Sequence, residues 1–417
     1  MTVTDATGPS PQPFAPARVV RFIGESRAFW RLVSRGAVLL MLTLGIYRFW
    51  LTTDIRRFLW SNTALAEESF EYTGTARELL LGFLIAIAVL VPLYAAFFLL
   101  TLAAGQAWTL ASILVLTFLG HYAVFRARRY RLTRTIYRGV RFHQTGSAWR
   151  YAVCAVFWWT LIILTLGLAY PFAQSQLERF KMRNTFFGDL PGRFEGTGMR
   201  LLLRGFLLWL VTMVPFIVGV AASLLAVNWS GVTSIASGDD ASNWLESSGF
   251  AGAIVFAVLT GVWLVLSVAI LYPIFQAMML RWWASGVRFG DVAVTSRLRT
   301  GAVFGVYARF VGYALLFTLA AGSIVGVGVF LLQTVIGQAD SLRAEIVTTV
   351  AGIGSYVAMA LGYSTIYQAT FKLGLWRCLA ESLEMSNLER LDRVAATGEA
   401  ASPVGEGLAD ALNVGGL

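Results

Sequence analysis

Charge is scarce in this 417-residue chain: only 13% of its residues are Asp, Glu, Lys or Arg, about half the ~25% of an ordinary soluble domain. Lysine is nearly missing; Lys181 and Lys372 are the only two, and every other basic side chain is arginine. Cysteine and histidine number two each. Cys154 and Cys378 lie far apart, in no CxxC and beside no histidine, which excludes a disulfide framework and a zinc site. Also missing are HExxH, GxSxG and phosphate-loop patterns. The apolar stretches contain no relay of carboxylates of the kind a proton-driven pump uses. No catalytic residue, metal or cofactor is expected, and the chain is not read as an enzyme.

Apolar residues make up 57% of the chain, with 29 Phe, 14 Trp and 14 Tyr, and mean hydropathy is +0.67. Disordered chains are charged and poor in aromatics, so disorder is excluded. The class that remains is a multi-pass membrane protein. A helix crossing the ~30 Å hydrocarbon core needs roughly 20 apolar residues. Eight stretches approach that length: 32–51, 79–104, 108–125, 151–172, 205–227, 250–275, 310–332 and 346–370. Pro92, Pro215 and Pro273 fall inside or near the ends of these runs, which membrane helices tolerate. The first twenty residues, rich in Pro, Ser and Thr, read as a disordered tail rather than a secretory signal.

The net charge of +10 is distributed by side. Residues 126–150 hold eight arginines and no acid, and 173–204 and 276–300 each carry +3. By contrast 228–248 carries −3 and 334–345 carries −1. The positive-inside rule places the basic regions in the cytoplasm. Three helical hairpins then turn outside: segments two with three, five with six, and seven with eight. Segments one and four are left with basic flanks at both ends, which a single crossing cannot join. Both end in Leu-Thr-Leu-Gly (Leu42–Gly45 and Leu164–Gly167), where glycine suits a turn, and aromatic residues suited to an interface follow. The predicted fold is an all-α polytopic membrane protein with six transmembrane helices in three hairpins. Two re-entrant or interfacial LTLG segments complete it, and both termini are cytoplasmic.

The LTLG match extends into an internal repeat. Leu42–Gly45, Arg57, Phe58, Asn62 and Thr63 recur 122 positions later as Leu164–Gly167, Arg179, Phe180, Asn184 and Thr185. Phe70-Glu71-Tyr72-Thr73-Gly74 answers Phe194-Glu195-Gly196-Thr197-Gly198 after a two-residue insertion. Weaker echoes cover Arg129 to Gly146 and Tyr272 to Asp291, and a marginal one covers Tyr367 to Arg377. Each unit reads as a membrane segment, a basic helix end, a polar and aromatic stretch, then Thr-Gly and the next helix. Asp189-Leu190-Pro191-Gly192 signals a turn, so small β-hairpins are expected in the cytoplasmic loops. Thr75 to Glu78 has capping-box spacing before the second segment. The predicted organisation is a tail (1–20), units over 21–150, 151–300 and 301–395, and a disordered tail over 396–417.

LTLGIY, Trp50, Arg56–Thr63 and Phe70–Gly74 resemble the signature of the bacterial YjgN inner-membrane family, and Arg129–Leu132 with Gly139–Phe142 resembles its second loop. The resemblance covers roughly residues 18–395. It implies a location in the bacterial inner membrane and assigns no substrate, cofactor or catalytic residue.

Candidate site residues are therefore of two kinds. The basic loop residues Arg126, Arg128, Arg129, Arg131 and Arg134 suit anionic lipid headgroups, at about 1 kcal/mol per charge; nucleic acid is not the expected partner, and a purely topogenic role is the simpler reading. The repeat residues Gly45, Arg57, Asn62, Thr63, Gly167, Arg179, Asn184 and Thr185 read as turns and caps. His121, Arg48, Arg204 and Arg309 lie near segment ends, where long side chains snorkel to headgroups. Transport or lipid handling is one reading of the whole chain. A membrane scaffold or envelope-stress interaction protein without a substrate path is the other.

Overall fold

The computed structural model describes residues 18–227, 229, 250–336, 341–398, 401–412 and 414. Most of the expected N-terminal tail and the acidic stretch around Asp239 and Asp240 lie outside the described residues. Arg18–Phe22, at the edge of that tail, is strand β1. It leads into helices α1 (Ser26–Leu42) and α2 (Arg48–Ser61), then strands β2 (Thr63–Leu65), β3 (Glu68–Ser69) and β4 (Glu71–Tyr72). Helices α3 (Ala76–Ala104) and α4 (Ala107–Thr133) precede β5 (Thr135–Tyr137) and β6 (Val140–Gln144). Next come α5 (Ala148–Leu164), α6 (Tyr170–Arg183), β7 (Thr185–Phe187) and β8 (Leu190–Phe194). They are followed by α7 (Gly198–Ala226), α8 (Phe250–Gly286), β9 (Val287–Phe289) and β10 (Val292–Ser296). Last are α9 (Thr300–Ile336), α10 (Ser341–Ile366), a π-helical turn (Tyr367–Lys372), α11 (Leu373–Glu381) and β11 (Leu383–Ser386). A 3-10 turn (Leu388–Arg393) and α12 (Val404–Ala411) follow. Two helices and then a pair of short strands thus recur along the chain.

The expectation of an all-α fold is corrected in one respect. The fold is mostly helical, but the short hairpins join edge to edge into one sheet of eleven strands, ordered β3-β2-β1-β11-β10-β9-β8-β7-β6-β5-β4. Only Phe70 separates β3 from β4, so the two ends of that order are one stretch of chain and the ladder closes on itself. Closure removes exposed strand edges. The last pairing joins Val19 to Glu384 across nearly the whole sequence.

Four hairpins turn through two residues, the first of them at positive φ: Ala66-Glu67, Arg138-Gly139, Gly188-Asp189 and Gly290-Asp291. Left-handed turns match the strand twist, which is why they favour Asn-Gly. The expected turn at Asp189–Gly192 is displaced: Leu190 to Gly192 belong to β8, and Gly188 makes the bend because a Cβ there would lie 2.3 Å from the Ala395 carbonyl oxygen. Ala66 and Glu67 hold left-handed angles (φ +50° and +77°) without glycine. Replacing the pair with Asn-Gly is expected to stabilise the fold by ~1 kcal/mol or more; a thermal unfolding midpoint in detergent that does not rise would contradict this.

The inside of the strand ring is aromatic and aliphatic. Phe187 stands 4.7 Å from Phe142 and 6.2 Å from Tyr137, ring centre to ring centre. The Tyr137 hydroxyl donates to the Leu65 carbonyl at 2.9 Å. An apolar cavity of about 170 Å³ remains among Leu65, Phe142, Phe289, Val294, Met385 and Leu391.

The LTLG segments reverse direction. Gly45 N–H donates to Leu40 O at 2.8 Å, and Gly167 N–H to Ile162 O at 2.8 Å. The Thr43 hydroxyl bonds Leu39 O at 2.7 Å and accepts Tyr47 N–H at 3.0 Å; Thr165 repeats both with Leu161 and Ala169 at 2.8 and 3.0 Å. Gly45 and Gly167 take φ +92° and +93°, where only glycine is unstrained. Each LTLG therefore ends one helix and starts its return. The second tip is held by Trp209 of α7, whose indole donates to Leu166 O at 2.8 Å.

Among the described residues, six helices are long and apolar enough to cross a membrane: Ala76–Ala104, Ala107–Thr133, Gly198–Ala226, Ala251–Gly286, Thr300–Leu332 and Glu345–Glu381. The first opens on the expected capping box, with Glu78 N–H to Thr75 Oγ1 at 3.3 Å and Thr75 N–H to Glu78 Oε2 at 3.4 Å. Three of the six bury no residue in their most apolar 18-residue stretch, and none buries more than 17% of it.

Candidate functional site

The polar residues gather where the returning helices meet the strand ring, in two buried charge clusters. Glu178 of α6, 7% exposed, pairs with Lys181 one turn on. It also accepts the Trp283 indole N–H at 3.2 Å. Arg128 of α4 reaches the same cluster and donates to Met182 Sδ at 3.3 Å. Burial lowers the pKa of Lys181 below the ordinary lysine value; Glu178 opposes that, and Arg128 adds to it.

The second cluster is built by α2, α4 and the chain's end. Arg56 of α2, 5% exposed, pairs with Glu406 of α12 and donates to the Tyr72 hydroxyl at 3.1 Å. Arg131 Nε stands 3.9 Å from Glu406 Oε2. Burial alone would lower the Arg56 pKa, but the Glu406 carboxylate and Tyr72 outweigh it and hold it above the usual arginine value. Arg48 pairs with Asp410, also on α12. Arg48, Arg56, Lys372, Glu406 and Asp410 line a hollow of about 280 Å³.

The tail expected to be disordered from 396 thus contains a helix, and the fit is close. A Cβ on Gly407 would lie 1.9 Å from the Gly82 carbonyl carbon, and one on Gly405 would lie 2.3 Å from Arg126 Cβ. Leu408, Ala409 and Leu412 pack with Ala123 and Ala127 of α4. Small residues on both sides let the backbones approach, which is what a Gly-rich tail supplies.

The basic residues predicted for a loop lie elsewhere. Arg126, Arg128, Arg129 and Arg131 sit on the last turns of α4, which runs to Thr133, and Arg134 caps it. Their partners are largely internal: Arg129 donates to Gly146 O, and Arg134 Nη2 lies 2.6 Å from Glu78 Oε1, which Tyr130 helps to hold. The repeat residues are caps. Asn62 and Asn184 Nδ2 donate to Phe58 O and Phe180 O at 2.8 and 2.7 Å, and Thr63 and Thr185 bond Leu59 O and Lys181 O at 2.7 and 2.8 Å. Arg57 and Arg179 Nη2 reach Gly74 O and Gly196 O at 3.1 and 3.3 Å. Arg377 does the same to Gly24 O at 2.6 Å, tying α11 to the segment between β1 and α1. The sequence reading missed Arg56, Glu178, Lys181 and Glu406. One signal was present: the 122-residue register sets Arg56 opposite Glu178, a reversal of charge within matched helices.

His143 in β6 stacks on Phe186, 5.1 Å between ring centres, and its buried Nδ1 has no hydrogen-bond partner among the described residues. Burial lowers its pKa. A depressed folded value means that stability is complete above the unfolded value near 6.5 and falls as pH drops through the folded one. The expected result is a wild type that loses stability relative to His143→Phe as pH falls from about 7.5 to about 5.5. A difference independent of pH would exclude the effect. Among the described residues no group of three or more His, Cys, Asp or Glu is placed to hold a metal ion.

Long apolar helices with uncovered sides, rising from a closed strand ring and a buried charged collar, define the class: a multi-pass membrane protein. The chain belongs to the family described as "Bacterial protein of unknown function (DUF898)", whose model matches residues 17–411. The match therefore includes the C-terminal helix, beyond the end expected from the sequence motifs. No curated protein and no solved structure compared with the chain matches it.

Proposed function

We propose that this is a lipid-handling protein of the bacterial inner membrane, with three hairpins crossing and both termini in the cytoplasm. The observation that carries the reading is the uncovered apolar surface between the hairpins. Leu316 and Val38 are 65% and 61% exposed, on helices that face one another across a groove. Water does not tolerate such surface, whereas acyl chains fill it without cost. The two LTLG hairpins dip into the leaflet and return; Trp209, which holds the second tip, lies five residues beyond Arg204, roughly 8 Å along the helix. The recurring hairpins are read as a duplicated unit, and such units commonly build a site at their interface.

The groove between α1, α9 and α10 encloses about 590 Å³ among Trp30, Met41, Leu316, Phe317, Ala358 and Leu361. On another face of α1, Arg31 and Arg35 line a separate hollow of about 400 Å³ with Tyr47 and Asp54. An apolar channel of the kind between α1, α9 and α10 matches the acyl chains of a phospholipid. The test is photo-crosslinking with a phospholipid that carries a photoreactive group on its acyl chain. Labelling of α1, α9 and α10 peptides is expected, falling to background in Ala358→Trp, which fills the groove. Unchanged labelling in that variant would favour the scaffold reading.

A further inference from the structure

We propose that the cationic hollow beneath the C-terminal helix is a phosphate-binding site, and that α12 is its built-in competitor. The proposal rests on the lipid-handling reading for its ligand source and on the following geometry for the site. With α12 docked, the hollow sets Arg48, Arg56 and Lys372 against Glu406 and Asp410. Both carboxylates belong to α12. When the helix leaves, the lining keeps three cations and no acid, with Arg131 behind them. Three cations held together without a carboxylate repel one another, so departure of the helix favours another anion. Arg56 is already under-used: its buried Nε has no hydrogen-bond partner among the described residues. A guanidinium offering its fork into a hollow suits two phosphate oxygens.

The helix is built to be removable. It is eight residues long and contributes no strand to the ring. Its seat combines glycine contacts and a small apolar patch against α4 with the ion pairs of Glu406 to Arg56 and Arg131 and of Asp410 to Arg48. The chemistry shared by a phospholipid headgroup and free phosphate would compete for the same donors. By linkage, whatever binds the hollow only when α12 is out must also drive α12 out.

The experiment uses the full chain with Cys154 and Cys378 replaced by alanine and Leu412→Cys as a maleimide reporter. Labelling rates are compared in phosphatidylcholine vesicles, in the same vesicles with phosphatidylglycerol, and with inorganic phosphate added. Phosphatidylglycerol is expected to raise the rate about tenfold. Lys372→Gln, which removes a cation of the hollow but no ion-pair partner of α12, should weaken the response relative to its own rate in phosphatidylcholine. Carboxypeptidase trimming of the unaltered chain under the same three conditions gives a second reading should Leu412→Cys fold poorly. Release by phosphate but not by phosphatidylglycerol would keep the site and overturn its lipid source, and with it the lipid-handling reading. Equal rates in all three conditions would overturn the site while leaving the groove result to stand or fall alone.

Discussion

Glu178→Leu is expected to destabilise the folded protein by ~3–5 kcal/mol, because it leaves Lys181 and Arg128 buried without their carboxylate. Neither cation has an easy escape, since both are fixed on helices that run into the strand ring. The Trp283 indole loses its acceptor as well. A second change distinguishes charge from packing. Glu178→Leu with Lys181→Met should recover the part of the loss that comes from Lys181, since matched removal of a buried pair is often near neutral, and leave the part that comes from Arg128. Thermal unfolding in detergent reads both. A single variant as stable as the parent would show that the cluster is hydrated rather than buried.

Phe187→Ala is the other large effect, expected at ~3–5 kcal/mol. Phe187 is 2% exposed, sits against Tyr137 and Phe142 inside the strand ring, and already borders the apolar cavity. Removing it enlarges a void that the closed ladder cannot collapse into, so both the transfer and the cavity terms apply. The same substitution at the exposed Phe98, on the lipid-facing part of α3, is expected to change stability little. Equal effects at the two positions would contradict an organising core inside the ring.

Local features were largely legible in the sequence. The LTLG turns follow from a glycine that must adopt positive φ and a threonine that caps both helices. The capping box at Thr75 and the presence of a hairpin near Asp189 are likewise short-range, although its turn falls at Gly188-Asp189 rather than over Asp189–Gly192, and the long apolar helices follow from composition. What could not be read is what spans the chain. Strand β1 is completed by β11, paired at Arg18 and Met385, and no local pattern announces a partner so far away. The C-terminal helix is short and Gly-rich, so its propensity is poor; it exists because Gly82, Ala123 and Ala127 leave room for it. Arg56 and Glu406 are 350 positions apart, and each alone reads as an ordinary surface charge. Eight arginines without an acid between 126 and 150 looked like a solvated loop, because their acids, Glu78, Glu178 and Glu406, come from other helices.

Lipid handling is tested most directly by reconstituting the full chain into vesicles with a fluorescent phospholipid and following its transfer between leaflets by quenching from outside. The account predicts faster transfer than in protein-free vesicles, slowed by Ala358→Trp in the groove. Transfer no faster than in protein-free vesicles, over neutral and anionic phospholipids alike, would contradict it and leave a membrane scaffold.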